Sequence, residues 1–83
     1  MDPIEIRNTI EKLGAGTTAE VADTTGTGDH FSARVISERF KGLNTVKRHQ
    51  LVYSTLKVEL DSGRLHALQL KTITPEERDN SNE

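Results

Sequence analysis

The sequence predicts an α+β domain built as a two-layer sandwich, in which a three-stranded mixed sheet carries its helices on one face. The first observation is the order of periodic segments along the chain, which is α-β-β-α-α-β-α. The second is the short glycine-containing turn between the first two strands, which favours an antiparallel hairpin. The third is the long helical crossover before the last strand, which favours parallel pairing with right-handed passage.

The length and composition set limits on this domain. A chain of 83 residues allows one small domain. Hydrophobic residues make up 33% of it and aromatic residues only 4%, so we expect a thin core and modest stability. The patterned region predicts one domain over residues 1–78, and the polar end of the chain predicts a flexible tail over 79–83.

The first helix is predicted over residues 2–14. Asp2 suits the cap position, Pro3 suits the first helical position, and Glu5 completes the spacing of a capping box. Apolar residues then recur on one helical face: Ile6, Ile10 and Leu13.

A β-hairpin is predicted next. Residues 17–24 alternate weakly and contain threonine and valine, which favours a strand, and the sequence TGTGD at 25–29 is a turn or loop. The following segment, HFSARVIS, has the alternation of a half-buried strand. Its core-facing residues are Phe31, Ala33 and Val35.

The crossover contains a short helical turn at 37–44 and a long helix at 45–61. The predicted apolar stripe of that helix consists of Val46, His49, Tyr53, Leu56 and Leu60. His49 lies on this stripe, and we expect it to be partly buried and hydrogen-bonded in a structural role.

The last strand is predicted within RLHALQLKTI, with His66, Leu68 and Leu70 on one face. A helix should begin in TPEE at 74–77, where Thr74 suits the cap and Glu77 follows it by three residues. His66 stands where an aliphatic residue would be ordinary. It therefore either fills a polar corner of the core or offers a nitrogen to something outside the chain.

Several function classes are disfavoured by composition. The chain has no cysteine, which excludes disulfides, cysteine zinc sites and thiol nucleophiles. No Ser-His-acid spacing occurs, and TGTG lacks the Gly-Lys-Ser/Thr ending of a phosphate-binding loop, so we expect no enzymatic activity. The N-terminus is unlike a signal peptide, and no apolar run approaches the length of a membrane span. We expect a cytoplasmic protein without membrane contact, monomeric or weakly dimeric.

The charge is uneven. Residues 34–71 contain eight basic and three acidic residues, a balance of +5 within a chain of net charge −2. Such a basic middle suits nucleic acid or an acidic partner, and it equally suits a solvated surface.

The motifs resemble those of the BolA family. The matching stretches are HFSARVISERFKG and VKRHQLVYSTLKVELDSGRLHALQLKTITPEE. They contain an F-x-G turn at Phe40–Gly42, an Arg-His pair at Arg48–His49 and a His-Ala-Leu strand at His66–Leu68, and the resemblance covers residues 17–78. It implies a fold similar to a class II KH domain.

The resemblance also implies a function. BolA-like proteins pair with monothiol glutaredoxins of the CGFS type and share a bridging [2Fe–2S] cluster, held in addition by glutathione, for cluster trafficking or iron sensing. The histidine of the His-Ala-Leu strand, here His66, is implied as one ligand. The second ligand comes from the loop between the first two strands, where His30 is the only imidazole and Asp29 the only carboxylate of the loop.

The resemblance implies a second function, because some BolA-like proteins also act as DNA-binding regulators, and the corresponding region here is residues 37–50. The candidate residues for nucleic acid or partner binding are Lys41, Gly42, Lys47 and Arg48, and we expect Lys47 and Arg48 on the outer face of the helix start. The KH loop has the form G-x-x-G, which lets the backbone approach phosphates, and the matching GLNT has only its first glycine. The same cations could also meet a glutaredoxin or the carboxylates of its glutathione.

Overall fold

The computed structural model describes residues 1–80. Its helices are α1 (Pro3–Glu11), α2 (Thr45–Thr55), α3 (Lys57–Asp61) and α4 (Pro75–Asn80), with a 3-10 turn at Glu38–Phe40. Its strands are β1 (Thr18–Asp23), β2 (His30–Ile36) and β3 (Ala67–Ile73). The predicted order of elements is confirmed.

The sheet is mixed, as predicted. Its strand order is β1-β2-β3, with β1 antiparallel and β3 parallel to the central β2. In this register His30, the first residue of β2, lies beside Ala67, the first residue of β3. The starts of the two parallel strands therefore lie at one edge of the sheet, and His66 precedes that edge by one residue.

The core lies between one face of the sheet and the helices. Alternate residues of β2 point into it, and Ile6 and Ile10 of α1 are fully buried against it. The three predicted core residues of β2, Phe31, Ala33 and Val35, are buried, and so is Ile36 at the end of the strand. The opposite face of the sheet is an open, shallow surface whose central part carries Arg34, Gln69 and Lys71. The α+β class with helices on one face is thus confirmed.

The capping residues at the starts of α1 and α4 are those predicted from the sequence. Asp2 accepts hydrogen bonds from the backbone N–H groups of Ile4 and Glu5, and the Glu5 side chain accepts from the backbone of Asp2. The α4 start repeats the arrangement, since Thr74 Oγ1 accepts from Glu77 N at 3.1 Å and Glu77 Oε1 accepts from Thr74 N at 2.9 Å.

The predicted continuous helix over 45–61 is wrong, because the chain breaks at Leu56 (φ −111°, ψ 15°) into α2 and α3. The Thr55 hydroxyl donates to the Val52 carbonyl at 2.7 Å. Leu56 N instead bonds to Tyr53 O at 3.0 Å, one residue short of the α-helical partner. Side-chain competition for the backbone carbonyl thus accompanies the break.

The predicted apolar stripe is also displaced. Val46 is 63% exposed, whereas Val52, which was not assigned to the stripe, is fully buried together with Leu56. Tyr53 lies at the edge of the core and donates its hydroxyl to Leu68 O at 2.9 Å. An apolar period of 3.6 residues fits several rotations of a helix, and packing selected the one centred on Val52.

Two predicted ends are corrected. The predicted alternation of RLHALQL does not hold at its start. Leu65 is buried, His66 and Ala67 are both exposed, and β3 begins only at Ala67. His66 therefore does not share the buried face of Leu68. At the C-terminus α4 continues through Asn80, so residues 79 and 80 are helical, and the rest of the predicted tail (81–83) lies outside the described residues.

Candidate functional site

The loop between β1 and β2 is organised by Asp23, the last residue of β1. Its carboxylate accepts hydrogen bonds from the backbone N–H groups of Thr25 (3.1 Å), Gly26 (2.8 Å) and Gly28 (2.9 Å). Desolvation works against ionisation, but these N–H donors outweigh it and hold the pKa of Asp23 below its ordinary value. The Asp23 carboxylate thus holds the backbone of the loop that leads to Asp29 and His30.

Asp29, the last residue of the loop, joins it to the start of β3. Its backbone carbonyl accepts hydrogen bonds from the N–H groups of His66 (3.0 Å) and Ala67 (3.2 Å). Two successive amides that point at one carbonyl are incompatible with strand alternation. This explains why β3 starts only at Ala67 and why His66 is turned towards solvent.

The two histidines predicted as ligands lie side by side at this edge. The ring centroids of His30 and His66 are 6.0 Å apart, and the rings meet edge to face at 88°. Their side chains are 45% and 56% exposed. We call these two residues the histidine pair.

The Asp29 carboxylate lies between the rings of the histidine pair. His30 Nδ1 is 2.9 Å from Asp29 Oδ1, and His66 Nδ1 is 3.3 Å from Oδ2. The hydroxyl of Thr27 donates to Oδ1 as well. The Thr27 hydrogen bond first, and then that of His30, holds the pKa of Asp29 below its ordinary value. The sequence marked Asp29 as the only carboxylate of the loop, but only the folded chain shows that it contacts both imidazoles.

Imidazole nitrogens are good ligands for iron, zinc and copper. Two exposed rings on neighbouring segments can supply two ligands to a metal ion. Between residues 1 and 80, no set of three or more His, Cys, Asp or Glu side chains has an arrangement that could hold a metal ion.

The predicted cationic group at residues 41–48 is only partly exposed for contact with another molecule. Arg48 was expected on the outer face of its helix, but its side chain is 13% exposed. It donates to the carbonyls of Leu43 (2.9 Å) and Thr72 (3.3 Å) and forms a two-point ion pair with Glu77 at 2.7 and 3.1 Å. Its guanidinium also lies 5.9 Å from the centre of the Phe40 ring. The expectation of an outward-facing Arg48 is therefore wrong, because these partners draw the side chain inward.

The partner of Arg48 could not have been identified from sequence spacing, because Glu77 follows it by 29 residues. The hydrogen bond from Arg48, and then that from the Thr74 backbone, lowers the pKa of Glu77 from 4.5 to about 2. The sequence predicted that Glu77 takes part in the helix cap at Thr74. It does so, and it also forms the ion pair with Arg48.

The other residues of the group are exposed. Lys41 lies 3.4 Å from Glu76 and 3.9 Å from Glu38, so its charge is partly balanced. Lys47 is exposed and forms no ion pair with any described residue. Gly42 has φ 77°, and an added Cβ would meet nothing within 4 Å, so the backbone of this turn is accessible.

His49 is half-buried, as expected, but the expected hydrogen bond is absent. Its ring forms no hydrogen bond or ion pair to the residues that the structure describes. It lies on α2, apart in sequence from the histidine pair.

The comparisons with known proteins agree with this architecture. The mixed three-stranded sheet lies under the helices, with His30 at the start of β2 and His66 one residue before the start of β3. The sequence model of the family described as "BolA-like protein" matches residues 4–77. The chain belongs to the BolA-like family.

Individual relatives and structures support the assignment. The chain is 52% identical over 48 residues to Protein BOLA1, chloroplastic, of Arabidopsis thaliana. The aligned region covers 58% of this chain and 29% of that protein. It is 48% identical over 52 residues to the DNA-binding transcriptional regulator BolA of Vibrio cholerae, which covers 63% of this chain and 48% of that protein. The chain thus spans less than half of either relative.

A solved structure covers more of the molecule. The BolA homologue from Coxiella burnetii matches with a TM-score of 0.80 at 34% identity, over 95% of this chain and 97% of that one. The fold and the family are therefore shown over nearly the whole domain. None of the helices within residues 1–80 combines the length and the apolar character that a bilayer crossing requires.

Proposed function

We propose that this chain is a non-enzymatic partner of a monothiol CGFS glutaredoxin, with which it carries a bridging [2Fe–2S] cluster for iron–sulfur trafficking or iron sensing. His66 and His30 supply the ligands from this chain, and the glutaredoxin cysteine with glutathione supplies the others. The observation that carries the proposal is the histidine pair, two exposed imidazoles brought to 6.0 Å by the parallel pairing of β2 and β3.

The donor set suits a cluster that is passed on. A neutral imidazole is a good iron ligand, and histidine ligation of a [2Fe–2S] centre raises its reduction potential. Imidazole also takes up a proton near neutral pH, which makes its bond to a metal more sensitive to acid than a thiolate bond. With no cysteine in the chain, both proposed ligands from this chain are imidazoles.

The histidines themselves provide the test. The protein is mixed with a CGFS glutaredoxin, glutathione, iron and sulfide, and the visible absorption and circular dichroism of the cluster are recorded. We expect a cluster whose spectrum depends on this chain, and we expect His66→Ala to abolish that contribution and His30→Ala to alter it.

His49→Ala is the matched control, because it removes the third histidine of the chain and lies outside the pair. It should leave the spectrum unchanged. A spectrum that His66→Ala leaves intact would refute the ligand assignment, and a mixture without any cluster would refute the proposed function.

A second candidate function is DNA binding through residues 37–50. One relative is named a DNA-binding transcriptional regulator, and Lys47 and the open Gly42 turn are accessible here. Two of the candidate cations speak against DNA binding, because Arg48 already pairs with Glu77 and Lys41 with Glu76.

The test for DNA binding is the salt dependence of duplex affinity. Lys41→Ala with Lys47→Ala should weaken binding and flatten its slope with salt concentration, whereas His66→Ala should not. Affinity that is unchanged by the double substitution would exclude this surface.

The location and the assembly state of the chain stay predictions. We keep the expectation of a cytoplasmic protein, monomeric or weakly dimeric alone, although the name of one relative places that relative in the chloroplast. Sedimentation of the free protein measures its assembly state.

A further inference from the structure

We infer that Asp29 is a positioning residue that holds both rings of the histidine pair with Nδ1–H towards its carboxylate, which leaves each Nε2 as the metal-donor atom. The inference rests on the proposed function, because it names the atoms through which His30 and His66 act. It concerns the geometry of the free chain, and the free chain is therefore where it is tested first.

The geometry gives each imidazole its own carboxylate oxygen. Oδ1 of Asp29 lies 2.9 Å from His30 Nδ1, and Oδ2 lies 3.3 Å from His66 Nδ1. The Thr27 hydroxyl donates to Oδ1. In both rings Nδ1 lies within 3.3 Å of this acidic side chain; the His30 contact has the geometry of a hydrogen bond, and the His66 contact is an ion-pair distance.

The chemistry of these groups selects one tautomer. An ionised carboxylate only accepts hydrogen bonds, and a neutral imidazole carries one N–H and one free lone pair. A ring whose Nδ1 faces the carboxylate is therefore most stable with its hydrogen on Nδ1, and its lone pair is then on Nε2. Metal-binding histidines commonly donate their second nitrogen to a carboxylate in this way.

The backbone of Asp29 acts in the same direction. Its carbonyl accepts from the N–H groups of His66 and Ala67, so it places the start of β3 relative to the loop. A substitution of the side chain leaves these two backbone bonds available. The effect of the carboxylate can therefore be measured while the two segments remain joined.

The tautomers can be measured without any metal. The free protein is labelled with ¹⁵N at histidine and examined by long-range ¹H–¹⁵N correlation at about pH 8, above the ordinary imidazole titration. We expect His30 and His66 mainly as the Nδ1–H tautomer. His49, which faces no carboxylate among the described residues, should show the Nε2–H form that free imidazoles prefer.

Two substitutions at Asp29 and one control separate the possibilities. Asp29→Ala should return both rings to Nε2–H. Asp29→Asn has a single carbonyl oxygen and should keep at most one ring as Nδ1–H. Asp61→Asn removes an exposed carboxylate that pairs with Lys57 and should change neither ring.

The cluster provides a second readout. In the mixture with a CGFS glutaredoxin, Asp29→Ala should form a cluster that is lost to a chelator about 10- to 100-fold more readily than the wild-type cluster. Wild-type His30 and His66 in the Nε2–H form would overturn the inference and leave the proposed function standing. Failure of the wild-type mixture to form a cluster would overturn the proposed function, and the donor role of Nε2 with it.

Discussion

Replacement of Arg48 by alanine should destabilise the domain by about 2–3 kcal/mol. Arg48 donates to the carbonyls of Leu43 and Thr72, and a hydrogen bond of this kind contributes about 1 kcal/mol. Its position over the Phe40 ring adds about 0.5–1 kcal/mol. The ion pair with the half-exposed Glu77 adds a part that depends on salt.

The assay is urea unfolding followed by far-ultraviolet circular dichroism, with the midpoint and the slope fitted separately. Lys47→Ala is the matched control, because Lys47 precedes Arg48 on the same helix turn but is exposed. It should stay within about 0.5 kcal/mol of the wild type, as surface substitutions usually do. Arg48→Lys keeps the charge but loses the planar fork, so it should recover only part of the loss.

An Arg48→Ala variant within about 0.5 kcal/mol of the wild type, with an unchanged slope, would contradict the structural role given to this side chain. Equal losses for Arg48→Ala and Lys47→Ala would point instead to a general effect of charge on α2. The prediction also bears on function, because an arginine held by these contacts is a poor choice for testing DNA binding.

Two further predictions concern stability. The depressed pKa of Glu77 makes a stabilising contribution that is fully present above about pH 4.5 and is lost as the pH falls towards about 2, so Glu77→Gln should flatten the pH dependence of unfolding across that window. Stability of the wild type and the variant that falls in parallel there would refute the assignment. Leu56→Ala should cost about 2–5 kcal/mol because the side chain is fully buried, whereas Val58→Ala, at a position 73% exposed, should cost less than about 0.5 kcal/mol. Similar urea midpoints for the two variants would contradict the burial at the α2–α3 junction.

The predicted helix caps and the predicted core face of β2 are confirmed. The caps at Asp2 and Thr74 depend on residues three positions apart, and the alternation in β2 depends on a period of two. The mixed sheet followed from the lengths of the connections. The caps and the alternation depend on residues that are close in sequence, so both can be recognised without knowledge of the fold.

The failures share a different cause. The break at Leu56 and the rotation of α2 about Val52 depend on how hydroxyl groups and apolar side chains compete once packed. The inward position of Arg48 depends on Glu77, which lies 29 residues away. Nothing in local periodicity distinguishes a solvated arginine from one held by distant carbonyl groups.

From the residues alone we could predict the α+β class, the element order, the family and the two histidines as candidate ligands. The folded chain adds that these histidines are neighbours and that Asp29 lies between them. The physical reason is that residues 30 and 66 meet through the parallel pairing of β2 with β3, a contact across the whole crossover. Its geometry depends on hydrogen bonds to the Asp29 carbonyl that exist only when both strands are in place.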